Sequence, residues 1–244
     1  RDNQRTIAYC HDVPDNSHCS ILWLSGYCSV MDSTKANAIA EYASEHQIEM
    51  IRFDYSGLGK SSGDFSIANF SDWLDEALAV YQQIKNRPTI IIGSSMGAWL
   101  SLRLTEVLAD CHLPSPKALL LLAPAIDFTH EILLKALPQQ FLKALSQEGK
   151  IEIPSEYDLE SLTFYQQFIE DANRHRLFNR PATIDVPVTI IHGKQDKDIP
   201  FNLGLKASQH FRNTQLIAIE AGEHRLSRTS DIHLILNTLK SLLK

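Results

Sequence analysis

The stretch Pro88-Thr89-Ile90-Ile91-Ile92-Gly93-Ser94-Ser95-Met96-Gly97 decides how the rest of the chain is read. Its first five residues form an apolar, β-branched run, the composition of a strand buried on both faces. The pattern G-x-S-x-G follows at once, with Ser95 at its centre, and residues 98–108 then read as a helix. In a strand–tight turn–helix context this pattern has a mechanical meaning, because the turn lifts a serine hydroxyl above the end of the sheet. The flanking glycines let the backbone fold back without a Cβ clash. The pattern by itself is short and arises by chance, so its neighbours must carry the inference.

Outward from this point, apolar runs alternate with amphipathic stretches. Strands are expected at Thr6–Cys10, Ile21–Ser25, Glu49–Asp54, Pro88–Ser94, Lys117–Ala123, Val188–His192 and Gln215–Ile219. Several are continuous Ile/Leu/Val runs without alternation, as in a parallel sheet covered by helices on both sides. Helices are expected at Thr34–His46, Phe70–Ile84, Met96–Ala109 and Asp231–Leu243. The last places Ile232, Ile235, Leu236, Leu239, Leu242 and Leu243 on one stripe. This alternation predicts a single α/β domain over residues 1–244, with a mostly parallel central sheet flanked by helices. The rhythm breaks between residues 128 and 185, too long a stretch for a plain connection. Short helical patterns at Glu131–Leu137, Gln140–Ser146 and Leu159–Asn173 mark it as an inserted helical cap over the carboxyl edge of the sheet.

The 244 residues are 44% hydrophobic and 21% charged, with a net charge of −6. Nucleic acid and anionic membranes need clustered positive charge, so neither is expected as the main partner. No run is long enough to span a membrane, and no secretory signal is present. The chain opens at Arg1 and not Met, which leaves room for a preceding targeting segment. A cytoplasmic location is expected. Cys10, Cys19, Cys28 and Cys111 show no CxxC spacing and read as reduced, buried thiols, not as metal ligands or a disulfide framework.

A serine hydroxyl is a poor nucleophile until a base takes its proton, and that base needs an orienting carboxylate. Both partners follow Ser95 in the order Ser, Asp, His. The strand Val188–His192 runs into Gly193-Lys194-Gln195-Asp196, and Gly222-Glu223-His224 follows the strand Gln215–Ile219. The carboxyl ends of different strands converge on one side of such a sheet. Asp198, two residues beyond Asp196, reads as a solvated turn residue.

With these pieces, and with Phe53-Asp54-Tyr55-Ser56-Gly57-Leu58-Gly59-Lys60-Ser61, the chain resembles the α/β-hydrolase superfamily over nearly its whole length. It is further similar to a subfamily of mitochondrial acyl-protein thioesterases, also acyl-glucuronide esterases, and their bacterial relatives. That likeness rests on Ser25-Gly26-Tyr27, Met31 to Ala36, Ile51 to Gly57, Gly93 to Leu100, Pro154-Ser155-Glu156-Tyr157 and Glu223-His224-Arg225. The resemblance implies that Ser95 attacks an acyl carbon, His224 acts as base and Asp196 fixes its tautomer. It implies an oxyanion hole of two backbone N–H groups, from Met96 and Tyr27. Two positions depart from the commonest superfamily pattern. Ser25 stands where many relatives have His before Gly26, and Ser94 where His often precedes the nucleophile. Neither change removes a backbone donor.

The expected reaction is cofactor-free hydrolysis of a small-molecule ester, an acyl thioester or an acylated protein. Dehalogenases and epoxide hydrolases normally use a carboxylate nucleophile, and Ser95 argues against both. A C–C bond hydrolase and a non-catalytic binding protein of the same fold stay open. Gly57-Leu58-Gly59-Lys60-Ser61 fails the Walker spacing and is no nucleotide loop. His192 and Asp54 read as structural, and His175 as a solvated helix residue. Leu133, Leu137, Phe141, Phe164 and Phe168 read as packing that could also wall an acyl pocket. Arg174, Arg176 and Arg225 are surface arginines able to meet an anionic leaving group.

Overall fold

The computed structural model describes residues 5–84, 87–135, 137–154 and 161–244. Seven strands form one sheet in the order β1-β3-β2-β4-β5-β8-β9. They are β1 (Tyr9–Asp12), β2 (Ser20–Leu24), β3 (Glu49–Phe53), β4 (Thr89–Ser94), β5 (Ala118–Leu122), β8 (Val188–Gly193) and β9 (Thr214–Ile219). Only β1 runs antiparallel to its neighbour; every other pair is parallel. It sits later than the expected Thr6–Cys10. The Thr6 and Ala8 N–H groups donate to the hydroxyls of Ser62 and Ser61, so pairing with β3 begins only at Tyr9.

Side-chain alternation explains the continuous apolar runs. Leu22, Ile91, Leu119, Leu121 and Ile190 point to one face; Ile21, Ile90, Ile92, Leu120 and Ile191 point to the other. The first face packs on α2 (Phe70–Tyr81), α3 (Met96–Asp110) and α6 (Phe201–His210), through residues such as Trp73, Trp99, Leu203 and Ala207. The second packs on α1 (Thr34–Glu45) and α7 (Thr229–Leu243), through Ala36, Ile39, Ala43, Ile235 and Leu239. Both faces are therefore buried, as parallel sheets require. Ser33 and Asn69 cap α1 and α2 by accepting from the N–H groups of Ala36 and Asp72.

The sequence reading contains no helix at α6. Gly204 in its middle dilutes the helical signal. The structure gives its reason: a Cβ there would lie 2.2 Å from His192 Nδ1.

Between β5 and β8 the chain is mixed, not purely helical. A π-helical turn (Thr129–Leu134) and α4 (Gln139–Glu148) precede a hairpin of β6 (Lys150–Ile153) and β7 (Leu162–Tyr165); α5 (Gln166–Ala172) follows. Of the expected helix Leu159–Asn173, Leu159 and Glu160 lie outside the described residues, and Leu162–Tyr165 is a strand. Phe164 pairs with Ile151 and both are buried, which favours a hairpin whose alternate residues face the core. Ser155, Glu156 and Tyr157 lie outside the described residues.

The cysteines also depart from expectation. None of the four is in a disulfide, but only Cys19 is buried; Cys28 and Cys111 are exposed. Cys28 lies in the tight loop after β2 and Cys111 caps the end of α3, so neither reaches the core.

Candidate active site

β2 and β4 are neighbours, yet the chain leaves β2 for β3 on one side and later reaches β4 on the other. The loops after β2 and β4 therefore diverge, and the crevice between them is where open α/β sheets bind ligands. Ser95 sits in this crevice. Its backbone takes φ 55° and ψ −118°, between β4 and α3. The turn closes tightly enough that both flanking glycines are required. A Cβ on Gly93 would lie 2.3 Å from the Gly97 carbonyl oxygen, and one on Gly97 would lie 2.1 Å from that of Leu24. The Ser95 N–H donates to the Leu122 carbonyl at 2.8 Å, and its own carbonyl accepts from Ala125 at 3.1 Å.

The structure brings Ser95, His224 and Asp196 into one hydrogen-bonded chain. Ser95 Oγ lies 3.1 Å from His224 Nε2, and His224 Nδ1 lies 2.8 Å from Asp196 Oδ2. Both contacts are satisfied when Nδ1 carries the proton and Nε2 accepts from the hydroxyl. Asp196 is buried, and its Oδ1 accepts from the N–H groups of Asp198 (3.1 Å) and Ile199 (2.8 Å). Asp198 thus braces the carboxylate through its backbone. Burial pushes the Asp196 carboxyl up. Hydrogen bonds from His192 and His224, the His224 charge and the Ile199 N–H outweigh it and hold the pKa at about 2.

The loop after β2 runs against the serine. A Cβ on Gly26 would lie 3.2 Å from Ser95 Cβ, so this loop passes directly beside the serine. Asp54 fixes the far end of this loop, its carboxylate accepting from the N–H groups of Met31 (2.7 Å) and Lys60 (2.9 Å). This is the structural role expected of it. The Met96 N–H opens α3, where an amide has no intrahelical acceptor and the helix dipole favours negative charge.

The side chain of Tyr27 turns the other way, into the segment between β5 and β8. Its hydroxyl donates to the Thr163 carbonyl at 2.7 Å and its ring stacks on Phe164 at 4.7 Å. Phe168, Phe65, Trp73 and Phe128 complete the cluster. Phe164, Phe168 and Leu133 are therefore buried packing residues, while Leu137 and Phe141 are partly exposed at its margin. His175 is not a solvated residue. Its Nε2 lies 2.7 Å from Ser71 Oγ, its carbonyl accepts from Trp99, and its ring packs on Phe70. Arg174 is exposed and pairs with Asp171 at 3.6 Å.

One neighbour of the site was not singled out from the sequence. Lys35 on α1 donates through Nζ to the carbonyl of Arg225, the residue after His224. Burial and the Arg225 charge bring its ammonium down to about 8, against the pull of Asp196 and Asp231. No local pattern marks such a lysine, because its contact spans α1 and the loop after β9.

Comparison with known proteins places the chain in a family. The family model for serine aminopeptidase S33 matches residues 15–186, which include Ser95 and stop short of Asp196 and His224. The human mitochondrial palmitoyl-protein thioesterase ABHD10 is 30% identical over 226 residues, 91% of this chain and 72% of that protein. A putative hydrolase from Agrobacterium vitis S4 superimposes with a TM-score of 0.94 at 35% identity, covering 98% of this chain and 94% of the other. Mouse ABHD10 gives 0.88 at 28% identity, covering 100% and 96%. The chain belongs to the α/β-hydrolase family described by the serine aminopeptidase S33 model, and it is an enzyme of the serine hydrolase type.

Proposed function

We propose that the protein hydrolyses acyl thioesters and carboxylic esters through an acyl-Ser95 intermediate, with acylated protein thiols as the first substrate class to test. The observation that carries this reading is the unbroken contact from Ser95 Oγ through His224 to Asp196. Ser95 Oγ attacks the acyl carbon while its proton passes to His224 Nε2. The tetrahedral oxyanion is held by the N–H groups of Met96 and Tyr27; one donor of this kind is worth about 2.7–4 kcal/mol. His224 then protonates the departing thiol or alcohol. Water, deprotonated by His224, attacks the acyl carbon in turn and releases the acid and free Ser95. No step draws on a metal or cofactor.

The thioester preference is supported by the palmitoyl-protein thioesterases among the relatives. We further infer that residues 128–185 serve as a cap whose aromatic cluster positions the Tyr27 loop. No described helix is long and apolar enough to cross a membrane. A cytoplasmic location is the expectation from the sequence, whereas the ABHD10 relatives are named as mitochondrial.

The test is a matched panel of p-nitrophenyl esters and acyl-thiol esters from short to long chains, run beside Ser95→Ala. Turnover is expected, with kcat lower by about 10⁴- to 10⁶-fold in the variant. A Ser95→Ala protein that keeps wild-type rates would refute the reading.

A further inference from the structure

Asp196 is held by two imidazoles, and only one of them is accounted for by the hydrolytic reading. His192 lies at the end of β8 with no exposure. Its Nε2 stands 3.2 Å from Asp196 Oδ2 and 3.0 Å from the Ile199 carbonyl oxygen. A nitrogen facing two acceptors must carry a proton, so His192 is a donor at Nε2. Its Nδ1 meets no hydrogen-bond partner among the described residues, so protonation there would leave a buried charge-bearing N–H unsatisfied. The contacts therefore place a proton on Nε2 and leave Nδ1 without one to donate. The packing is built for this ring. Gly204 provides the space beside Nδ1, and Phe201 stands edge-on at 5.6 Å.

We propose that His192 is a positioning residue, which locks the rotation of the Asp196 carboxylate so that Oδ2 faces His224 and which tempers the basicity of the His224 imidazole. This rests on the roles given above to Ser95, His224 and Asp196. Oδ1 is pinned by the Asp198 and Ile199 N–H groups, and Oδ2 is shared by the two imidazole donors. The four contacts fix the carboxylate plane. The His192 N–H withdraws electron density from the oxygen that His224 uses. With it in place, the carboxylate stabilises the His224 imidazolium less than an unshared one would. Lys35 on α1 also acts on this carboxylate, and Arg225 and Asp231 act in turn on Lys35.

The experiment measures kcat and KM against pH, on a p-nitrophenyl ester, for the wild type, His192→Phe and His192→Gln. Phenylalanine fills the space without a donor; glutamine returns an N–H near the Nε2 position. The Phe protein should show kcat lower by about 10- to 100-fold, the rate equivalent of one charge-assisted hydrogen bond, with KM little changed. Its acid limb should move to higher pH by roughly 0.5–1 unit. The Gln protein should recover most of both. A Phe protein with the wild-type limb, or a Gln protein as impaired as Phe, overturns the proposal. Should the Phe protein fail to fold, the ¹⁵N-histidine spectrum of the wild type decides. A neutral His192 ring protonated on Nε2 supports the proposal, and protonation on Nδ1 removes the donor and overturns it. Absence of Ser95-dependent turnover in the wild type would instead defeat the hydrolase reading, which keeps the two failures distinct.

Discussion

At Ser95 the backbone occupies a region that costs a non-glycine residue about 1–3 kcal/mol. The other non-glycine residues with positive φ divide into two groups. Gln47, His112 and Asn213 lie in the turns that lead from α1, α3 and α6 into β3, β5 and β9, the first two directly after a helix C-cap. Cys28, Ala123, Asp127 and Leu226 lie in the loops after β2, β5 and β9, and with Ser95 they put the strained backbone on the site's side of the sheet. Asp196 is the second fixed point. Replacement by Asn is expected to lower kcat by about 10⁴-fold with the fold intact, because the amide selects the wrong His224 tautomer. A thermal midpoint near that of the wild type, together with single-turnover rates, checks this. Because Asp196 stays ionised down to about pH 2, the acid limb of kcat/KM should fall with the slope of one proton, that of His224. A two-proton slope above pH 4 in the folded protein contradicts it. Ser95, Asp196 and His224 were legible in the sequence because each follows a recognisable strand in a fixed chain order. Lys35 was not, because its contact joins elements far apart in the chain.

Among the elements, the strands were legible because burial on both faces leaves unbroken apolar runs, as in β4 and β5. The segment between β5 and β8 was harder to read, since a short strand such as β7 and a helix turn share the same apolar density. Its hairpin carries Phe164 onto Tyr27, and α5 adds Phe168 from below. Phe168→Ala is expected to destabilise the protein by about 3–5 kcal/mol, read from urea midpoints. It should also lower kcat more than it raises KM if the Tyr27 N–H is the transition-state donor proposed above. An unchanged kcat in folded protein would separate the cluster from catalysis.

Across the whole molecule, the site lies at the carboxyl end of the sheet, and a buried charge cluster secures the opposite end. Glu49 begins β3 with no exposure and accepts from Ser20 Oγ (2.5 Å) and Arg87 Nη1 (2.8 Å), with His11 Nε2 at 2.8 Å. Burial raises its carboxyl, and the three partners together pull it below its ordinary value of 4.5. A depressed acid stabilises the fold above the unfolded value, and that contribution is lost as pH falls through the folded one. Glu49→Gln should therefore cost about 3–5 kcal/mol near neutrality, since it leaves Arg87 poorly paired, and the gap to wild type should narrow below pH 4.5. A pH-independent gap contradicts this. The same sheet topology that puts Glu49 at one end parts the loops after β2 and β4 at the other, where Ser95 sits.

The central claim is that Ser95 is an activated nucleophile. Its most direct test is peptide mass spectrometry of protein treated with a fluorophosphonate, beside His224→Ala. The account predicts a single adduct on Ser95 in the wild type, formed at least about a hundredfold more slowly in the variant. Adduct on another serine, or equal labelling of Ser95 in both proteins, would contradict it.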